Sequence, residues 1–532
     1  MPSREELPIP LRCRVARRFY EPVKVEEALV EAFRRSPEYS GRVLPETETG
    51  LAQGDEGAFL SLLCKLAHVF DIRKGGETVS GIAVVSEYDG VRYFIGSNAR
   101  MASQTIALEE FAKGLFAVPA GIGPMGQLTE TTQFLRMLKY IVVFNEPRIR
   151  FYTNRLRTKL DECLGILDAK QVGDMSIFTT LVNTFTRLRD FVSSNTRAVA
   201  GRYEADDSVI LIWDLQRSLG RGTLANAISA LCGESRYNPA KHWLELRHLI
   251  ARLRAYYVSA ETIMICKRRW PELFEHPRIT IVSSSSPDAN PLKRQGQTFH
   301  GALGRFTSDK AKMNKWREGA QWLEKFGVSE IFKRGCSSDT FRPIVHAEVL
   351  VHHAVRAYLD ENPGYEYWRR WRYIGSSKPT CRLCNYYFQV VDDDVAVRET
   401  HGNLYPNWRL PDCFDPEAVE ERESLLNGIL KYTRQDAVRV ILEKLPKGTA
   451  NDSSSYPAVP SLLRNESRQS NNSITELSDL FNKASMVDEK DRLLDTISVR
   501  AVEAPPPKEQ PLTSGYHLLV GDDEEDGGAA LF

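Results

Sequence analysis

The sequence predicts an α/β protein: a mainly helical N-terminal region, then a smaller α/β unit, then a tail without regular structure. Three observations carry this. Long stretches between Gly57 and Phe274 repeat apolar residues at helical spacing. A helix–strand–helix pattern follows between Pro343 and Phe388. Beyond Pro446 the periodicity is lost, and Ser, Asn, Pro and acidic residues dominate.

Taken in order, residues 1–50 form an extension of mixed charge with helical character around Val25–Arg35. Residues 51–274 form the mainly helical region. Its first helix is the apolar run Ala58–Phe70. One β-hairpin interrupts it: Thr78–Glu87 and Val91–Gly96 alternate as strands do, and Tyr88-Asp89-Gly90 supplies the turn. Helical patterns follow at Ala107–Phe116, Leu128–Val143, Arg155–Leu167, Met175–Phe191, Ile210–Leu231 and Ala240–Cys266. Packing or partner contact is their expected role. Near Pro277 the texture changes, and the α/β unit is expected over residues 275–445. Arg278–Val282 reads as a β-branched strand and Asp309–Phe326 as an amphipathic helix. Asp393–Glu399 and Leu404–Leu410 read as closing strands, and Pro416–Leu445 as a last helix. Residues 446–532 read as a disordered acidic tail ending near Asp522-Asp523-Glu524-Glu525-Asp526.

Composition bounds the function. The chain has 532 residues, too many for one ordinary domain. Seventy basic residues balance seventy acidic ones, so net charge gives no pull towards nucleic acid or membrane. Nine scattered cysteines and no apolar signal region fit free thiols in a cytoplasmic or nuclear compartment. No apolar run approaches the ~18 residues of a membrane span.

The chemistry concentrates in His346-Ala347-Glu348 and Cys381-Arg382-Leu383-Cys384. Pro343 is placed to open a helix carrying His346 and Glu348, which ends before Asn362-Pro363-Gly364. Trp371–Gly375 reads as a strand, and a second helix carries both cysteines in its first turn, where i and i+3 face the same way. An imidazole and two thiolates make a three-ligand zinc site with a fourth position open for water. Zinc lowers that water's pKa from about 15.7 towards roughly 7. Glu348 stands where a carboxylate can pass a proton from the water to a leaving amine. Two other readings stay open: a closed structural zinc, with a fourth ligand among Cys336, Cys413, His352, His353 and His401, and a metal-free core.

The combined motif resembles the signature of the zinc-dependent cytidine-deaminase-like superfamily, H-x-E followed by P-C-x-x-C, and is similar to its fungal nucleic-acid/nucleotide deaminase branch. The likeness covers about residues 275–425. It implies a three-layer α/β/α fold with a mixed sheet. It also implies a Zn2+ cofactor on His346, Cys381 and Cys384, with Glu348 as the catalytic proton shuttle. A zinc-bound hydroxide would then attack a nucleobase of a nucleoside, nucleotide or nucleic acid. In one departure, Thr380 precedes the first cysteine and Pro379 lies one residue earlier. The alternative is a catalytically silent zinc scaffold that binds protein partners through the helical region or the tail.

Two stretches mix aromatic and basic residues. Tyr367-Trp368-Arg369-Arg370-Trp371-Arg372 suits base stacking or, more plainly, a core with solvated arginines. Arg148, Arg150, Arg155, Arg157 and Lys159 read as a charged helix face.

Overall fold

A computed structural model describes residues 7–37, 54–118, 130–168, 205–220, 240–293 and 296–448, together with 183, 186, 189 and 190. The expected helix over Met175–Phe191 lies almost wholly outside the described residues, as does the tail from 449 onwards.

The helices are α1 (Cys13–Arg34), α2 (Gly54–Phe70), α3 (Ala102–Ala117), α4 (Glu130–Phe144), α5 (Glu146–Asp168), α6 (Ala205–Gly220) and α7 (Ala240–Arg269). Then come α8 (Phe299–Leu303), α9 (Lys310–Gln321), α10 (Val328–Ser337), α11 (Ala347–Glu361), α12 (Arg382–Val391) and α13 (Ala418–Glu443). The strands are β1 (Ser80–Glu87), β2 (Gly90–Ser97), β3 (Arg278–Val282), β4 (Glu366–Tyr367), β5 (Tyr373–Ser376) and β6 (Ala396–Val397).

All six strands form one mixed sheet in the order β3-β2-β1-β5-β6, with β4 also on β1. β1 is antiparallel to β2 and to β5, while the β2–β3 and β5–β6 pairs are parallel. The hairpin that reads as an interruption of a helical region is therefore the centre of the sheet. The sheet takes strands from both sides of the change in texture near Pro277. The six residues Ser80–Val85 are all buried because both faces of β1 are covered. Ile82 and Val84 face one apolar cluster with α2 and the helices α3 to α7, whereas Ala83 and Val85 face α11 through Val351 and Val355.

Helix α2 is apolar nearly all round, as a helix enclosed between a sheet and other helices must be. Its Ala58 carbonyl accepts from the Cys266 thiol of α7 at 3.9 Å, and its Phe59 ring lies 4.8 Å from that of Trp368. A further cluster joins α1, α10, α12 and α13. The extension is thus built into the core: Phe19, Val23, Val25 and Leu29 of α1 are fully buried.

Two glycines let helices approach the sheet. A Cβ on Gly81 would lie 2.9 Å from the Ala347 carbonyl oxygen of α11. On the opposite face, a Cβ on Gly375 would lie 2.5 Å from the Leu63 Cβ and 2.6 Å from its backbone carbon in α2. Both neighbours are backbone or the root of a side chain, so neither can swing away.

Two expected closing strands differ from the structure. Leu404–Leu410 contributes only an isolated bridge, Ile344 to Trp408, and is otherwise a loop that buries Trp408, Arg409 and Leu410 in succession. Asp393–Glu399 shrinks to Ala396–Val397 because Asp392 and Asp394 adopt left-handed backbone, φ 54° and 59°. No described helix is long and apolar enough to cross a membrane.

Gly375→Ala should destabilise the protein by roughly 1–3 kcal/mol through overpacking. Urea unfolding monitored by circular dichroism measures this; an unchanged midpoint would show that α2 can retreat from the sheet.

Candidate functional site

His346 is the residue immediately before α11, and Cys381 the residue immediately before α12. Both helix starts lie at the end of the sheet where β5 finishes. His346 Nδ1 stands 3.4 Å from Cys381 Sγ and 3.5 Å from Cys384 Sγ. The three ligand atoms lie within 4.8 Å of one another, all buried, and could hold a metal ion. Among the described residues the group has three members. Cys336, Cys413, His352, His353 and His401 are not in it, so a closed four-ligand site has no support there. The chemistry of the donors fits zinc: one imidazole and two thiols, with the remaining position left to a non-protein ligand.

Local structure explains the convergence. The Ala347 N–H at the start of α11 donates to Asn98 Oδ1 at 2.8 Å, and Asn98 itself donates to the Gly76 carbonyl. The Arg382 N–H at the start of α12 donates to the Asn403 carbonyl at 3.0 Å. The Thr380 N–H donates to the Glu399 carbonyl at 2.9 Å, a bond that a proline at this position would forfeit. The departure from the family pattern therefore continues the β5–β6 pairing towards Arg398 and His401. The backbone of Asn407 hydrogen-bonds the His346 ring, the kind of outer contact that orients a ligating imidazole.

The electrostatics suit thiolate ligands. Burial works against ionising Cys381, but its hydrogen bond with Cys384 and the charge on His346 hold its thiol well below the usual range. Burial raises Cys384, and its neighbour Cys381 raises it further; the Trp408 side chain acts the other way. The Trp408 indole nitrogen is buried close enough to act on Cys384, yet it makes no hydrogen bond to any described residue.

Glu348 lies in the first turn of α11, 4% exposed. Burial pushes its carboxyl up to about 7, the Cys381 charge adds to the rise, and His346 opposes it. Ser376 Oγ, at the end of β5, donates to Glu348 Oε1 at 3.3 Å. Asn98 and Ser376 carry no sequence signal of their own; Trp408, like His401 and Tyr405, follows the second motif at a distance that fits either the mouth of the site or core packing, and it is buried beside Cys384.

Other residues settle elsewhere. His352 is buried, with Nδ1 2.8 Å from Tyr387 Oη and Nε2 2.5 Å from Asp393 Oδ2. His353 is exposed. Trp368 lies in the core, with the Arg369 guanidinium 4.6 Å from its ring centre. The basic stretch of α5 is not a solvated face throughout: Arg148 is buried on Asp71 at 2.7 Å, and Lys159 on Glu245 at 2.6 Å.

Residues 345–412 match the family of OTT_1508-like deaminases. This segment contains His346, Glu348, Cys381 and Cys384, along with Ser376 and Trp408. The family likeness supports a hydrolytic deaminase; it does not single out the fungal branch. No curated protein and no solved structure matches the chain.

The unpaired Trp408 N–H beside Cys384 is free to donate to a thiolate ligand once metal binds, so Trp408→Phe should weaken metal binding about tenfold or more. Competition against a chromogenic chelator reads the affinity; an unchanged value would remove the indole from the site.

Proposed function

We propose that the chain is a zinc-dependent hydrolytic deaminase of a nucleobase. The observation that carries the reading is one imidazole nitrogen within 3.5 Å of two thiols, with a buried carboxyl two residues away on the same helix start. The match to a deaminase family over the same residues supports it.

His346 Nδ1, Cys381 Sγ and Cys384 Sγ would hold the zinc. When bound, zinc supplies a Lewis acid that makes water a nucleophile near neutral pH. Net hydrolysis places the water oxygen on the amine-bearing ring carbon and releases ammonia. The Glu348 carboxylate accepts the water's proton and returns it to the departing amine, so the carboxylate is regenerated each turn. Ser376 Oγ lies 3.3 Å from Glu348 Oε1 and would steady the carboxyl, and its burial keeps bulk water from the transfer. The resemblance of the motif to the fungal nucleic-acid/nucleotide branch supports a nucleobase as the group acted upon. The alternative of a silent scaffold makes no use of a buried carboxyl at this position.

Purified protein should contain about one zinc per chain by mass spectrometry, and Cys381→Ser/Cys384→Ser should contain none. Glu348→Gln should keep its zinc and its fold while ammonia release falls roughly a hundredfold to ten-thousandfold. Turnover that is indifferent to Glu348→Gln would leave the scaffold reading in its place.

A further inference from the structure

The cysteine pair is anchored by chain from both ends of the sequence. Arg382 stands between Cys381 and Cys384 as the first residue of α12, and it is 2% exposed. Two residues span about 200° of a helix, so Arg382 leaves α12 on nearly the opposite side from Cys384. Its guanidinium reaches four separate stretches of chain. Nε donates to the Gly402 carbonyl at 2.7 Å, and Nη2 donates to the Lys447 carbonyl at 2.7 Å. Nη1 forms an ion pair with Glu26 of α1 and lies 3.6 Å from Asp436 of α13. The Arg382 N–H is held separately by the Asn403 carbonyl. The helix start beside Cys381 is thus fixed through backbone and side chain together.

The cluster closes on itself. Glu26 and Asp436 are buried. Lys447 Nζ lies 2.6 Å from Asp436 Oδ1 and donates to Tyr386 Oη at 3.0 Å, while Tyr386 Oη donates to Asp436 Oδ2. Two cations face two carboxylates, so the buried charge is compensated within the protein. A planar guanidinium can serve these partners at once, which the point charge of a lysine cannot. The chain beyond α13 is pressed against the same loop: Gly402 adopts left-handed backbone, φ 70°, and a Cβ on it would lie 3.2 Å from the Gly448 nitrogen. Helix α1 reaches the centre a second time. Tyr20 Oη donates to the Trp408 carbonyl at 3.1 Å, and the Phe19 ring centre lies 5.9 Å from that of Trp408. Phe19, Tyr20, Glu26, Asp436 and Lys447 all lie outside residues 345–412.

We propose that Arg382 is a positioning residue for the metal centre: clamped by Glu26, Asp436 and the carbonyls of Gly402 and Lys447, it sets the roll of α12 that brings Cys381 and Cys384 to His346. The proposal rests on the metal-binding part of the deaminase reading and adds that α1 and α13 belong to the centre. Metal ligands must be held within about 0.5 Å of their working places by groups that are themselves locked. The clamp supplies that lock from behind the helix, without touching the sulfurs.

The test uses the full chain. Zn2+ affinity is read by competition with a chelator, and ligand geometry by the visible and near-ultraviolet spectrum of the Co2+-loaded protein. Arg382→Lys keeps a positive charge but loses the fork. It should weaken Zn2+ binding about tenfold or more and diminish the thiolate-to-cobalt bands. Glu26→Gln should act in the same direction. The double variant should lose less than the product of the two separate losses, because one contact is removed twice. A merely structural role would lower the urea midpoint of the metal-free protein and leave the affinity and the spectrum of the folded variants unchanged; that result would overturn the proposal, as would fully multiplicative losses. If either variant fails to fold by circular dichroism, Gly402→Ala replaces it, since it crowds Gly448 and leaves every charge in place; the same loss of affinity is expected, and an unchanged affinity counts against the clamp. Failure of the unsubstituted chain to take up either ion would remove the metal reading and the clamp together. Metal binding that depends on Arg382, without ammonia release from any nucleoside or nucleotide, would sustain the clamp and remove the deaminase.

Discussion

The contact between α11 and the first residues of β1 sets where the chemistry stands. Gly81 has no side chain, so the Ala347 backbone can rest against the sheet. His346 immediately precedes that contact and is held at the sheet's end. The same stretch of β1 also registers the other half of the motif. The Ser377 N–H donates to the Ser80 carbonyl at 3.0 Å, and the Ser80 N–H donates to Ser377 Oγ at 3.2 Å. Ser377 leads into the turn that presents Cys381. One strand start therefore aligns ligands far apart in sequence, and a shift of one residue would turn Gly81 away from the helix.

Electrostatics then divide the labour within a small volume. At the start of α12 the Cys384 backbone N–H hydrogen-bonds Cys381 and favours its thiolate. His346 and the Cys384 hydrogen bond act in the same direction on Cys381. Glu348 experiences the opposite balance, since burial and the neighbouring negative charge favour its protonated form. Groups in one cavity pushed towards different protonation states are the usual arrangement for moving protons in a site that also binds a charged centre.

What could be read from the sequence was local. His346 and Cys381 stand at helix starts because Pro343 and the Lys378-Pro379-Thr380 turn mark those starts within a few residues. Arg278–Val282 has the β-branched composition of the strand it forms. The unread part depended on contacts across long separations. The hairpin and the helix after it could be read as part of a mixed α/β unit, but nothing near Thr78–Gly96 reveals that its partner is Tyr373–Ser376. Asn98, Ser376 and Trp408 gain their roles only when the sheet end closes. Arg148 resembled the other basic residues of its stretch, and only the fold brings Asp71 to it. The segment around Trp408 read as a strand because it is apolar and buried, but it pairs only through the Ile344–Trp408 bridge.

The order of these elements has a consequence for biogenesis. β1 and β2 leave the ribosome early, but the strands that cover their outer edges, β5 and β3, are made after the helices α3 to α7. At ordinary rates of translation, the interval before β5 emerges is on the order of tens of seconds. During it the hairpin holds two unpaired edges rich in Ile, Val and Phe, a hazard for association with other chains. Docking of α2 and the early helices on one face protects only that face. The distant pairing that builds the site thus leaves the newborn chain with exposed edges until β5 and β3 arrive, and makes it a slow folder for its size.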